Sequence, residues 1–306
     1  MPPPDERLAE LREARAQFMT MVAEVRPDLH RYCARMTGSV VDGEDVVQDT
    51  LARAYFLLPE LLDMPALRPW LFRVAHHRAL DFLRRYDRRM SESLEPDSAL
   101  PDDRLTSADD ALAHRAAVAA ALGRFVELPA VPRSCVILKD VLGHSLDEIA
   151  TLLELGLPAV KAALHRGRER LREGARDAGD SGPAPASSPT LARYIALFNA
   201  RDWDAVRAML SDEVRLDVVT RAQRRGRGEV GQYVSNYAGA HDWYLRSAWL
   251  DGREVIAVFP TPRDPAPAYF IDVTLRGDRV LFIRDYRYVP YIAVDAPLRL
   301  APAAGA

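Results

Sequence analysis

The hydrophobic residues change period partway along the chain, and that change decides what it can fold into. In the first part they recur at spacings of three and four: Phe18, Val22, Val25, Leu29, Tyr32, Cys33 and Met36, then Val47, Leu51, Ala54 and Leu58, then Leu71, Ala75, Ala79, Phe82 and Tyr86. Such spacing lines one face of each of several successive helices. A last helical stripe, Leu191, Tyr194, Ile195 and Phe198, precedes a switch to alternation after about residue 213, over Val214 to Val219, Trp243 to Leu250, Glu254 to Phe259, Tyr269 to Leu275 and Val280 to Tyr288. Alternation is the mark of strands buried on one face. The expected fold is multidomain: two all-α modules, then an α+β domain whose helices pack on one curved antiparallel sheet.

Two stretches cannot build a core. Residues 91–110 are polar, acidic and broken by Pro96 and Pro101, and read as an extended linker. Residues 177–189, rich in Gly, Pro, Ala and Ser, read as a flexible tether. The domains are therefore expected at 8–90, 111–176 and 190–295. No apolar run approaches the ~20 residues needed to cross a bilayer, and the start Met1-Pro-Pro-Pro-Asp-Glu6 has no signal-peptide pattern, so a cytoplasmic protein without membrane contact is expected. Two cysteines, Cys33 and Cys135, exclude a disulfide framework and a four-cysteine zinc site. The adjacent His76 and His77 lack ligand spacing. Neither a metal nor a cofactor is expected.

The formal net charge of −3 hides a strong alternation. Arg68 to Arg89 holds seven arginines against Asp81 and Asp87, and Lys161 to Arg176 holds six basic residues against Glu169 and Glu173. Between them, Ser91 to Asp110 holds seven acids and one base, Arg104. Screening confines each patch to about 10 Å, so a polyanion responds to the local sum rather than the total.

Ser145-Leu-Asp-Glu148 is a capping box, with Ile149, Leu152 and Leu153 following on one face. Glu154 to Leu157 makes a turn, and a second helix opens with Pro158 in its first turn. Leu157, Val160, Leu164 and Leu171 are its expected buried stripe. Ala159, Lys161, Ala162, His165, Arg166 and Arg168 occupy its other face, with small residues near the start and cations around them. That pattern suits a helix entering a DNA major groove, and it also suits an ordinary helical hairpin with a solvated basic face.

Taken with the first segment, these residues resemble a known family. Arg26-Pro-Asp-Leu-His-Arg-Tyr-Cys-Ala-Arg-Met-Thr-Gly38, Asp42-Gly-Glu-Asp-Val-Val-Gln-Asp-Thr-Leu-Ala-Arg-Ala-Tyr55 and Pro69-Trp-Leu-Phe-Arg-Val-Ala-His-His-Arg-Ala-Leu-Asp-Phe-Leu-Arg-Arg85 look like region two of an extracytoplasmic-function (ECF) sigma factor. Residues 121–172, with Val141-Leu-Gly-His-Ser-Leu-Asp-Glu-Ile-Ala150 and Val160-Lys-Ala-Ala-Leu-His-Arg-Gly-Arg168, look like its region four. The resemblance implies a dissociable subunit of RNA polymerase that finds promoters and opens them. It implies that Asp45, Gln48, Asp49 and Arg53 form the face that grips the clamp helices of the largest polymerase subunit. It assigns the minus-ten element to Arg68, Trp70, Arg73, His77, Arg78, Arg84 and Arg85; aromatics stack on unpaired bases and arginines follow phosphates, while core packing competes for Trp70 and Phe72. The minus-thirty-five element falls to Ala159, Lys161, Ala162, His165, Arg166 and Arg168. The chain departs from the family pattern at Glu154, Gly156, Ala162 and Ala163, which leaves fewer base-specific hydrogen bonds. The acidic linker matches the connector that threads the RNA channel.

The third segment, around Tyr194-Ile-Ala-Leu-Phe-Asn-Ala-Arg-Asp-Trp203, is similar to SnoaL-like domains, cones around an apolar pocket. Asp217, Tyr233, Tyr237, His241, Trp243, Asp272, Asp285 and Tyr286 are candidate pocket residues. A tethered domain sees its neighbours at roughly millimolar effective concentration, so a contact between this domain and the sigma modules that regulates them in cis is expected. No catalytic activity is expected. The alternative is a one-component DNA-binding regulator or enzyme with a small-molecule pocket in the C-terminal domain.

Overall fold

The computed structural model describes residues 4–57, 67–90, 122–177, 184–239 and 243–302. The chain divides into two compact units, Met1–Gly179 and Asp180–Ala306.

The first unit is helical: α1 (Pro4–Thr37), α2 (Val40–Leu57), α3 (Leu67–Met90), α4 (Leu122–Val126), α5 (Ala130–Val136) running into a π-turn at Ile137–Val141, α6 (Leu146–Leu153) and α7 (Leu157–Asp177). Gly43 sets the crossing of α1 and α2. A Cβ there would lie 2.5 Å from the Ala34 nitrogen and 2.6 Å from its Cα, so any larger residue forces the helices apart. The apolar stripes read from the sequence are the buried ones: Val25, Leu29, Tyr32, Cys33, Met36, Val47, Leu71 and Ala75. The two helical segments do not keep separate cores. Phe125, Cys135, Val136, Ile149 and Val160 belong to the same continuous apolar cluster as Leu29, Tyr32 and Phe72.

Polar groups buried inside this cluster are paired, as burial demands. The Arg133 guanidinium donates to the carbonyls of Met36 (2.5 Å), Val126 (2.8 Å) and Leu128 (2.7 Å), closing the C-terminal turn of α1 and the end of α4 at once. Tyr32 Oη, His76 Nδ1 and Ser134 Oγ form a triangle with edges of 2.8, 3.1 and 3.2 Å, one residue from each of α1, α3 and α5. Glu44 is fully buried and ion-paired with Arg26.

The second unit contains α8 (Pro189–Asn199), α9 (Trp203–Ala208), β1 (Leu210–Val218), β2 (Ala222–Arg225), α10 (Gly226–Ala238), β3 (Tyr244–Leu250), β4 (Arg253–Phe259), β5 (Tyr269–Arg276), β6 (Arg279–Asp285), α11 (Tyr291–Val294) and β7 (Arg299–Leu300). The sheet order is β2-β1-β6-β5-β4-β3-β7. It is mixed rather than antiparallel. β1 runs parallel to β6, with Leu216 opposite Ile283, because helix α10 and four strands separate them and no hairpin fixes their direction. Helices α8 to α10 cover one face, burying Leu191, Phe198, Val230, Tyr237, Leu216, Ile256 and Ile283 together. Residues that alternate with these, Val255, Ala257, Phe259 and Phe270, are buried too. Tyr286 packs against Phe270 with ring centroids 4.7 Å apart, and β7 pairs with β3, so the C-terminal stretch extends that edge of the sheet.

Burial pushes the His76 imidazole down to about 4. The unfolded chain therefore takes up this proton first, and the contribution of His76 to stability is complete above pH 6.5 and lost as the pH falls toward 4. Urea unfolding of the whole protein should show about 2–3 kcal/mol lost across that window, and His76→Gln should remove most of that slope.

Candidate nucleic-acid interface

Helix α3 carries the candidate minus-ten residues along a cationic stripe. Arg68, His77, Arg84 and Arg85 are exposed, and Arg73 and Arg78 are half-buried. Trp70 is half-buried against the core and Phe72 is fully buried, so core packing takes Phe72 outright. The stripe is not bare: Arg68 pairs with Asp28 at 2.8 Å, Arg73 with Glu154 at 3.5 Å and Arg84 with Asp81 at 3.7 Å. All three pairs lie at a partly solvated rim, and each is worth under about 1 kcal/mol, so phosphates can replace the carboxylates.

The helix-turn-helix forms as the sequence pattern requires. Ser145 Oγ accepts from the Glu148 N–H at 3.2 Å, and the Glu148 carboxylate accepts from the Ser145 N–H at 2.7 Å. These bonds to the charged form hold the Glu148 carboxyl below its usual range. Glu154 caps α6 in the left-handed region at φ 57°, the conformation a glycine adopts without strain. Ala159, Lys161 and Arg166 are exposed on α7, with Ala162 and His165 half-buried. Leu157, expected in the buried stripe, is 40% exposed, because it is the first residue of the helix and has no turn before it to cover it.

Arg168 requires a correction. Its side chain is 3% exposed and its Nε and Nη2 hold both oxygens of Asp140, at 2.8 and 2.6 Å. It follows Val160 and Leu164 at intervals of four and precedes Leu171 by three, so it lies on the inward face, and the π-turn brings Asp140 to meet it. Gly167 beside it lets α7 approach α5, since a Cβ there would be 2.6 Å from Val136 Cγ2. Arg168 ties the helix-turn-helix to its support; it is not placed to reach a phosphate.

On α2, Asp49 and Arg53 are exposed and Asp45 and Gln48 half-buried, with Gln48 donating to Glu44 at 3.4 Å. The sequence reading missed the apolar groups near this face. Phe56 is 79% exposed and Met19 58%, and Tyr55 makes a tilted ring contact with Phe18, with the Arg15 guanidinium over its own ring. The signal was available, since Tyr55 and Phe56 fall outside the stripe of Val47, Leu51, Ala54 and Leu58.

In the second unit, three of the eight candidate pocket residues meet directly. Tyr233 and Tyr237 both donate to Asp285 Oδ2, the latter at 2.8 Å, and Arg287 N–H donates to Oδ1 at 2.8 Å. Tyr269, unanticipated, extends the chain of hydroxyls at 3.2 Å from Tyr237, and Trp243 packs edge-on to its ring. The Arg287 guanidinium lies over Trp243 and Tyr237. Burial pushes the Asp285 carboxyl up against the opposing pull of these bonds, and pushes all three phenols up as well. Asp217 does not join. It pairs with Arg284 at 3.3 Å, and since Arg284 precedes Asp285 on the strand, the two carboxylates point to opposite faces. His241 lies outside the described residues. Asp285 is fully buried and Tyr237 and Tyr269 are 4% and 2% exposed, while Tyr233 and Trp243 are half-buried. Among the described residues, no group of His, Cys, Asp and Glu is placed to hold a metal ion.

Comparison with known proteins accounts for the first unit. Residues 21–89 match the family model of Sigma-70 region 2 and residues 122–171 that of Sigma-70, region 4. The ECF RNA polymerase sigma factor SigL of Mycobacterium tuberculosis is 34% identical over 146 residues, 47% of this chain and 80% of that protein. The chain belongs to the ECF sigma factor family. The ECF RNA polymerase sigma factor SigG of the same organism is 32% identical over 228 residues, 66% of this chain. The matched part spans 61% of SigG, less than two thirds of its length. Among solved structures, the M. tuberculosis extracytoplasmic function sigma factor SigJ aligns over 87% of this chain and 95% of its own, at 21% identity and a TM-score of 0.35.

Arg168→Ala should cost about 3–5 kcal/mol in urea unfolding, because Asp140 is left buried without its partner. Lys161→Ala, exposed on the same helix, should stay within about 0.5 kcal/mol.

Proposed function

We propose that this protein is a sigma factor that binds core RNA polymerase, recognises promoters and opens them, and that its C-terminal unit is a SnoaL-like domain regulating it in cis. The observation that carries this reading is the order of the two sigma regions, each bearing one exposed cationic helix on a packed support. In this reading Asp45, Gln48, Asp49 and Arg53 face the clamp helices of the largest polymerase subunit. Arg68, Arg73, His77, Arg78, Arg84 and Arg85 track the separated strand at the minus-ten element, with Trp70 beside them. Lys161, His165 and Arg166 contact phosphates of the minus-thirty-five element, and Ala159 and Ala162 allow α7 to come close to the bases. The modules are 8–90 and 111–176, joined by the acidic linker 91–110, with the regulatory domain at 190–295 beyond the tether 177–189. The protein acts in the cytoplasm and carries no catalytic activity. A one-component regulator or a small-molecule enzyme is not favoured, since neither has a use for the α2 face and the arginine-rich helix that follows it.

Run-off transcription with core enzyme and genomic fragments tests the reading directly. The full chain should yield discrete transcripts that core alone does not. Arg84→Ala/Arg85→Ala should weaken promoter binding and lower the slope of log K against log salt by about two. A truncation after residue 180 should change promoter activity; unchanged activity contradicts regulation in cis.

A further inference from the structure

We propose that the β2 edge of the second unit's sheet binds the backbone of duplex DNA, with Arg215, Arg225 and Arg276 on the phosphates and Arg221 and Arg224 beyond them. The site rests on the proposed function, a chain that works at promoters, and gives the C-terminal unit a hold of its own on the same molecule. All five arginines are exposed, and among the described residues none of them has a carboxylate partner. Their neighbours do: Arg227 holds Asp212 at 3.2 Å, Arg279 holds Asp278 at 3.7 Å and Arg284 holds Asp217 at 3.3 Å. Arg215 lies opposite Arg225 in the β1–β2 ladder, and Arg276 lies opposite Arg279 where β5 turns into β6. Like charges directly opposite each other destabilise a sheet. An edge strand such as β2 needs charge of either sign to refuse a further strand, so guarding the edge does not call for arginine against arginine. An anion between them offsets the repulsion.

The backbone opens a place for that anion. β1 advances five residues, from Leu210 to Arg215, while β6 advances two, from Val280 to Phe282, so β1 bulges. Beside the bulge lies an open cleft of about 560 Å³ that Arg215, Arg225 and Arg276 line from three strands, together with Asp212 and Glu213. Asp212 is already held by Arg227, which leaves Glu213 against three unpaired guanidinium groups. Arg215 lies over the Phe282 ring at 5.9 Å and Arg221 over the Tyr288 ring at 4.7 Å. Such a contact orients the guanidinium plane while its N–H donors stay available to phosphate oxygens. The arginines continue from the cleft to Arg221 at the β1–β2 turn, a spread that a continuous backbone follows and one small phosphate does not. Backbone contacts of this kind position a protein on DNA without reading sequence. A tethered unit needs only a weak contact to add to the affinity of the whole chain.

The test is binding of the full chain to a mixed-sequence DNA duplex over a salt series. Three proteins are compared: the wild type, Arg215→Ala/Arg225→Ala/Arg276→Ala, and Arg215→Lys/Arg225→Lys/Arg276→Lys. Each lost phosphate contact takes about 0.9 from the slope of log K against log salt. The alanine variant should therefore lose about 2–3 from that slope, and the lysine variant, which keeps the charges, should retain the wild-type value. The alanine variant should melt no lower than the wild type, since a like-charge pair is gone. Should it melt early, Arg276→Gln alone should still lose about one from the slope. A wild-type slope in both the alanine and the glutamine variants overturns the proposal, as does a wild type that binds no duplex at any salt. An alanine variant that binds DNA more tightly also overturns it, and assigns the arginines to the chain's own acidic residues 91–110 instead. Run-off transcription with core enzyme separates the two readings. Transcripts from the alanine variant beside an unchanged duplex slope keep the sigma assignment and remove this site. A wild type that yields no transcript, while the three arginines still set the slope, removes the sigma assignment and keeps the site.

Discussion

One apolar core passes without interruption from α1–α3 into α4–α7, and everything else in the first unit depends on it. A chain of this kind meets two demands: each helical module must bury enough surface to fold, and each must leave a cationic helix exposed. Sharing one core satisfies the first. Its seams are closed by polar groups that have partners on both sides, Arg133 on the carbonyls ending α1 and α4, and the Tyr32, His76 and Ser134 triangle. Breaking any of these leaves a buried donor or acceptor alone, at a cost of about 1–3 kcal/mol each. The seam is therefore specific in register while its rim ion pairs remain weak.

Charge is distributed to fit this arrangement. Arginines that support structure are buried against fixed acids or carbonyls, as with Arg168 on Asp140 and Arg133 on three carbonyls. Arg68, Arg73 and Arg84 pair instead with acids at a partly solvated rim. The same residue type thus serves two purposes on neighbouring helices, and burial separates them where composition does not. The second unit spends its buried charge differently, on one carboxyl bound by two phenols beneath an arginine.

Much of this was legible in the sequence, where local rules decide. The capping box of α6, the proline opening α7, the stripes of α1 to α3 and five strands all follow from spacing and from caps. Strand β2, Ala-Gln-Arg-Arg, was not legible, because it has no apolar alternation and forms only by pairing with β1. The parallel pairing of β1 with β6 and the single core of the first unit depend on contacts distant in sequence, which no local pattern encodes. Arg168 was misread because its basic neighbours suggested a surface, although its interval of four from Leu164 already placed it inward. The cluster at Asp285 was half legible: the phenols of α10 and the acid at the end of β6 were named, while the alternation that turns Asp217 to the opposite face becomes visible only once the register is known.

The most direct measurement is co-elution of the full chain with core RNA polymerase in gel filtration. A stable stoichiometric complex, lost when Asp45 and Asp49 are both replaced by lysine while the fold is retained, is the predicted result. A chain that elutes alone at every salt concentration, with its native helical content intact, would contradict the assignment of α2 and with it the role of both cationic helices.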